Sequence, residues 1–106
     1  MGITDAELGW LAGIFEGEGC ITYRQPTRHE WALRVVMSDE DVVRRFHRLI
    51  GVGNVTGPYV YNGGKPLWAW RAAAVADVLN AVRMLEPLMG DRRAARMRDC
   101  VYDLIG

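Results

Sequence analysis

The residues best suited to chemistry are Glu16 and Glu18, which stand among glycines in the run Leu8-Gly9-Trp10-Leu11-Ala12-Gly13-Ile14-Phe15-Glu16-Gly17-Glu18-Gly19. Carboxylate oxygen is a donor that hard cations such as Mg2+ prefer. Thr4, with Glu7 three positions on, is a capping-box signature that starts a helix near Asp5. Leu8, Leu11, Ile14 and Phe15 then recur at helical spacing and give one face to bury. That helix, over about 5–17, ends in its two acids, where the macrodipole disfavours negative charge by about a few tenths of a kcal/mol. Gly9, Ala12, Gly13 and Gly17 leave a second face nearly bare, although each internal Gly costs a helix roughly 1 kcal/mol relative to Ala. Broken local rules gather at functional or strained sites. Spacing alone fits tight packing within one domain, followed by a solvated exit turn, equally well.

The elements that must position these acids follow in order. Gly19-Cys20-Ile21-Thr22-Tyr23-Arg24-Gln25 is a β-branched and aromatic strand broken at Pro26, with Arg28 and His29 in the next turn. Trp31, Leu33, Val35 and Met37 alternate with Ala32, Arg34, Val36 and Ser38, so the second strand buries the first set and presents the second. The same alternation puts Cys20, Thr22 and Arg24 on one face of the first strand. Ser38-Asp39-Glu40-Asp41 opens a helix, with Ser38 or Asp39 as N-cap, and reads as a solvated first turn in preference to a catalytic one. Val42, Val43, Phe46, Leu49 and Ile50 form its buried stripe, Arg44, Arg45 and Arg48 are solvated, and Gly51-Val52-Gly53 stops it. Residues 54–61 make a third strand, irregular at Gly57-Pro58 and so at a sheet edge. Asn62-Gly63-Gly64 signals a hairpin, and residues 67–71 make a fourth strand with Trp68 and Trp70 in the core. From Ala73 to Leu85 an Ala-rich helix carries Val75, Val78, Leu79 and Val82, until Pro87 interrupts it and Gly90 turns the chain. Asp91 caps a last helix with Met97, Val101, Leu104 and Ile105 inward and Arg92, Arg93, Arg96 and Arg98 outward. The class is α+β, in the order αββαββα with an extra helix.

At 106 residues the chain is one domain with a real but modest core. Half its residues are apolar and 25% are charged, which excludes disorder. No stretch approaches the roughly 18 apolar residues of a membrane span, and Met1-Gly2-Ile3-Thr4 lacks a basic segment followed by an apolar run, so an intracellular protein is expected. Cys20 and Cys100 have no pairing or metal spacing and read as two reduced, buried thiols. A formal net charge of +0 argues against nucleic-acid binding until its distribution is considered. Over 19–38 and 51–71, the strands and their turns, Arg24, Arg28, Arg34, Lys65 and Arg71 face Glu30 alone, and the other charges balance that excess. A basic sheet beneath acidic helices has an oriented field.

Leu11-Ala12-Gly13-Ile14-Phe15-Glu16-Gly17-Glu18-Gly19 resembles the signature of the LAGLIDADG homing endonucleases, with Glu at both acidic positions. The element order and the Leu85-Glu86-Pro87-Leu88-Met89 segment resemble the same family over nearly the whole chain. The resemblance implies an αββαββα domain with a saddle-shaped antiparallel sheet laid along the major groove of double-stranded DNA. It also implies that signature helices pack in pairs. With one signature the chain needs a second copy, and Gly9, Ala12, Gly13 and Glu16 would line a homodimer seam. A roughly palindromic target follows. By the same resemblance Glu18 and the Gly17 carbonyl hold Mg2+ or Mn2+ for a double-strand break, and Glu16 has a structural role.

Two positions depart from the family's pattern. Where many members have a Lys after the segment matched by Pro87-Leu88-Met89, this chain has Arg92, which offsets phosphate charge but transfers no proton at ordinary pH. The polar residue that commonly follows the second strand falls on Ser38 or Asp39, making Asp39 a catalytic candidate. Sequence reading is expected from Thr22, Arg24, Arg34, Ser38, Thr56 and Arg71, with Arg28 and Lys65 on phosphates. The alternatives are a DNA-binding regulator that has lost cleavage and an RNA-binding splicing factor of maturase type.

Overall fold

The computed structural model describes residues 2–24 and 30–106, so Arg28 lies outside the described residues. Helix α1 spans Asp5–Glu18. Thr4 Oγ1 accepts from the Glu7 amide at 3.1 Å and Glu7 Oε1 accepts from the Thr4 amide at 2.8 Å, closing the capping box. The Thr4 N–H also holds the Glu7 carboxyl below its ordinary pKa. Gly19 is already extended at φ −78°, ψ 154°, so the chain passes directly from α1 into β1 (Gly19–Arg24). Strand β2 is Glu30–Met37, helix α2 Glu40–Ile50, strand β3 Asn54–Tyr59, strand β4 Leu67–Ala72, helix α3 Val75–Leu85 and helix α4 Asp91–Ile105, with a short 3-10 turn at Glu86–Leu88. This is the expected order.

The sheet is antiparallel throughout, in the order β1-β2-β4-β3, so β3 is an edge strand and its register shifts between Thr56 and Tyr59. The helices cover one face. Leu11 and Phe15 of α1, Val43 and Phe46 of α2 and Val78 and Leu85 of α3 bury against Trp31, Leu33, Val35 and Trp70. Trp70 is fully buried, meets Phe46 edge-on at 4.8 Å and donates its indole N–H to the Val52 carbonyl at 2.8 Å. Gly53 makes room for it: at φ +84° a Cβ would stand 2.6 Å from the Trp70 indole nitrogen. Trp31 ties α4 to the sheet, its N–H donated to Asp103 at 2.8 Å and its ring under the Arg96 guanidinium at 4.6 Å.

Several expectations are corrected. Ala12 turns into the core, 6% exposed, and is not on the bare face. Ala32 and Ala69 are buried although their alternation puts them on the open face, because a methyl group in the middle of a sheet is shaded by its longer neighbours. Helix α3 starts at Val75, which is exposed, and Ile105 at the end of α4 is exposed as well, since packing lapses at helix ends. The N-cap of α4 is Gly90, with Asp91 the first helical residue. Arg45 is not simply solvated: it stacks on Trp10 at 4.2 Å. Among the described residues no helix is long and apolar enough to cross a membrane.

Because Trp70 combines full burial with a satisfied indole N–H, Trp70→Ala is expected to destabilise the fold by about 3–5 kcal/mol, measured as a shift of the urea unfolding midpoint.

Candidate nucleic-acid interface

The uncovered face of the sheet is a concavity of about 780 Å3. Cys20, Thr22 and Arg24 of β1 stand opposite Arg34, Ala32 and Glu30 of β2. Arg34 and Val36 stand in turn opposite Arg71 and Ala69 of β4. Of the residues expected to carry recognition, Thr22, Arg24, Arg34, Thr56 and Arg71 line this surface, and so does Glu18. Ser38, Asp39, Lys65 and Arg92 are exposed but are not among its lining residues. Asp39 is the N-cap of α2 without a side-chain cap hydrogen bond. Reading by alternation missed Tyr59 and Tyr61, which line the concavity beside the β3–β4 connection. Their signal was the aromatic run just before Asn62-Gly63-Gly64.

Like charges directly opposite each other on a sheet repel, so Arg34 beside Arg71 needs an acid. Glu30 supplies it, accepting from Arg71 Nη2 at 3.2 Å. The open face is thus less basic than the run of cations suggests, with Arg24, Arg34 and Arg71 set against Glu30 on the strands and Glu18 at one end.

Glu18 is the last residue of α1 and is exposed. Gly9, Gly13 and Gly17 follow one another at i, i+4 spacing up the outer side of the same helix, and a Cβ at any of them meets nothing within 4 Å. Glu16 points elsewhere. Its Oε1 accepts the Gly90 N–H at 2.6 Å and its Oε2 accepts from Arg93 Nε at 2.9 Å. The Gly90 N–H first, and then the Arg93 and Arg92 cations, hold the Glu16 carboxyl below its ordinary pKa against an opposing effect of burial. Arg92, exposed in the first turn of α4, therefore lies close enough to the end of α1 for its charge to be felt. Arg93 corrects the reading of the α4 arginines as outward: its side chain is 15% exposed, and its Nη1 donates to the Gly19 carbonyl at 2.7 Å. The signal was in the helix phase, since Arg93 stands four residues before buried Met97.

No protein-family model and no curated protein matches the sequence significantly. Solved structures do match. I-GzeII, a LAGLIDADG homing endonuclease in complex with a DNA target, aligns at TM-score 0.76 with 15% identity over 98% of this chain and 37% of that one. The homing endonuclease I-TnaI aligns at 0.73 with 16% identity over 99% of this chain and 74% of that one. I-CvuI, in complex with its target in the presence of Ca, aligns at 0.65 with 18% identity. This chain spans 60% of the I-CvuI chain's length. The fold is that of the LAGLIDADG homing endonucleases, and α1 is the helix on which the signature-like residues stand.

Both thiols are free, as expected, but only one of them is buried. Cys20 is exposed on the open face, while Cys100 is buried in the core. Burial, with the nearby Asp103 charge, pushes the Cys100 thiol up to about 11. The expected outcome is rapid alkylation of one thiol, Cys20, in the native protein and of both in denaturant, counted by mass spectrometry with peptide mapping. Above the ordinary thiol pKa of 9.0 the unfolded chain loses the Cys100 proton before the folded chain does. Its contribution to stability is therefore present below about pH 9 and lost as the pH rises toward 11.

Proposed function

We propose that this chain is one subunit of a homodimeric, site-specific DNA endonuclease that makes a divalent-metal-dependent double-strand break at a roughly palindromic target. The observation that carries the reading is the placement of Glu18, where the bare stripe of α1 meets the end of the concave sheet face. The structural neighbours include homing endonucleases in complex with DNA, which supports the same reading.

Two α1 helices can approach closely only where side chains are absent, because the distance between packed helices is set by the residues at their contact. Gly9, Gly13 and Gly17 provide that surface, and a twofold pairing along it is self-complementary. It would bring the two Glu18 carboxylates toward one axis and set two concave faces side by side. The cations on each face then suit the phosphates and base edges of a duplex: Arg34 and Arg71 at the centre, Arg24 toward the β1 end.

The residues present fit a hard cation. Glu18 brings a carboxylate and Gly17 a backbone carbonyl, both oxygen donors of the type Mg2+ and Mn2+ take. Among the described residues of one chain no group of three or more His, Cys, Asp or Glu gathers, so the partner's Glu18 completes the donor set in this reading. Glu18 and the Gly17 carbonyl would hold such a cation, and the chemistry it would supply is charge neutralisation at the phosphodiester oxygens. The protein's own part is to orient Glu18 and to hold the backbone phosphates over it.

A second reading, a DNA-binding protein that does not cut, is favoured by the same two departures noted in the sequence. Arg92 cannot serve in proton transfer, and Asp39 does not line the concavity. One experiment separates the readings. Incubated with a plasmid library at low salt with Mg2+, the wild-type protein is expected to linearise a subset of targets. Glu18→Gln should abolish cutting and leave binding within about threefold, since one neutralised carboxylate removes no phosphate contact. Arg34→Ala with Arg71→Ala should weaken binding and flatten the salt dependence by up to about 0.9 for each phosphate no longer neutralised. Cutting by Glu18→Gln at the wild-type rate would remove the assignment, and binding without cutting by the wild type would leave the regulator.

A further inference from the structure

Helix α1 and helix α4 each lack a residue that their ends require, and each obtains it from the other. The last turn of α1 carries two acids and no base, the wrong charge for the negative end of its dipole. Helix α4 has Gly90 as its N-cap and so no side-chain cap of its own, leaving amides that a helix start must satisfy. Glu16 binds the Gly90 amide, and Arg93 returns a cation to the end of α1.

Arg93 does more than balance charge. Its Nε donates to Glu16 and its Nη1 to the Gly19 carbonyl, so one planar group grips the chain on both sides of Gly17-Glu18. Its guanidinium also lies 5.8 Å from the Phe15 ring centroid, on the turn before. Beyond the helix's own backbone no atom stands within 4 Å of where a Cβ at Gly17 would be. We infer that Arg93 is the positioning residue for Glu18: its fork on Glu16 and Gly19 fixes the direction of the Glu18 carboxylate and the Gly17 carbonyl. The inference rests on the reading of Glu18 as a metal-binding carboxylate. A Lys could reach one of the two acceptors but lacks the rigid fork that holds both.

The test is titration of the full chain with Mn2+ alone, followed by electron paramagnetic resonance, with near-UV circular dichroism as the check on folding. Charge is a confounder, because removing Arg93 alone would free the negative charge of Glu16 beside the site. The double variant Arg93→Met/Glu16→Gln removes one charge of each sign and isolates the grip. It is expected to bind Mn2+ about tenfold or more weakly, the range seen when a partner behind a metal ligand is lost, with unchanged near-UV circular dichroism. Arg93→Lys, which keeps the charge, should fall between it and the wild type, and it carries the comparison if the double variant fails to fold. Glu18→Gln is the control on the underlying reading. If Glu18→Gln binds Mn2+ like the wild type, or the wild type shows no saturable binding, the metal reading fails and the inference with it. Loss of binding in Glu18→Gln together with wild-type affinity in both Arg93 variants overturns the positioning inference alone.

Discussion

Helix α1 must be buried along one side and bare along the other, and the rest of the structure follows from that constraint. Its inner side sends Leu11, Ala12 and Phe15 into the core against the sheet. Its outer side keeps three glycines in the open, each at roughly 1 kcal/mol of helix propensity relative to Ala. A helix so weakened must be held at its ends. The capping box does this at Thr4, and contacts with α4 do it at Glu16. Because Gly19 goes straight into β1, whatever fixes the end of α1 also fixes where Glu18 stands relative to the open face of the sheet.

Electrostatics on that open face is local. The chain has no net charge, and the concavity itself mixes three arginines with Glu18 and Glu30. Glu30 relieves the opposition of Arg34 and Arg71 across β2 and β4, so the surface is tuned more to discrete contacts than to a broad positive field. On the proposed reading, such a surface would meet DNA through a limited number of phosphate and base-edge contacts, with affinity that depends on salt and sequence together.

Much of this is legible in the residues. Thr4 and Glu7 mark the start of α1, the alternation around Arg34 marks the open face, and Gly57-Pro58 marks the edge strand. What escapes is nonlocal. Glu16 caps a helix whose N-cap residue lies 74 residues later in the chain, and no local pattern announces a cap supplied from elsewhere; Asp91 is the nearer candidate and the wrong one. Arg93 reads as outward when charge is weighed above phase, yet its spacing from Met97 and Cys100 puts it on the inward side of α4. Ala12 is small enough to suit either a core or a seam, and spacing does not choose between them. Cys20 reads as buried by residue type, while the strand alternation sets it beside Thr22 and Arg24.

Whether two copies meet along the bare side of α1, as proposed, can be read from sedimentation equilibrium at micromolar concentration. A Leu at position 13 meets no atom of its own protomer near its Cβ and improves helix propensity, so Gly13→Leu should fold at least as well as the wild type. The wild type is expected to sediment at twice the chain mass and Gly13→Leu at the single-chain mass. A wild-type protein that sediments as one chain with and without duplex DNA, or a Gly13→Leu protein that remains a dimer, would contradict it.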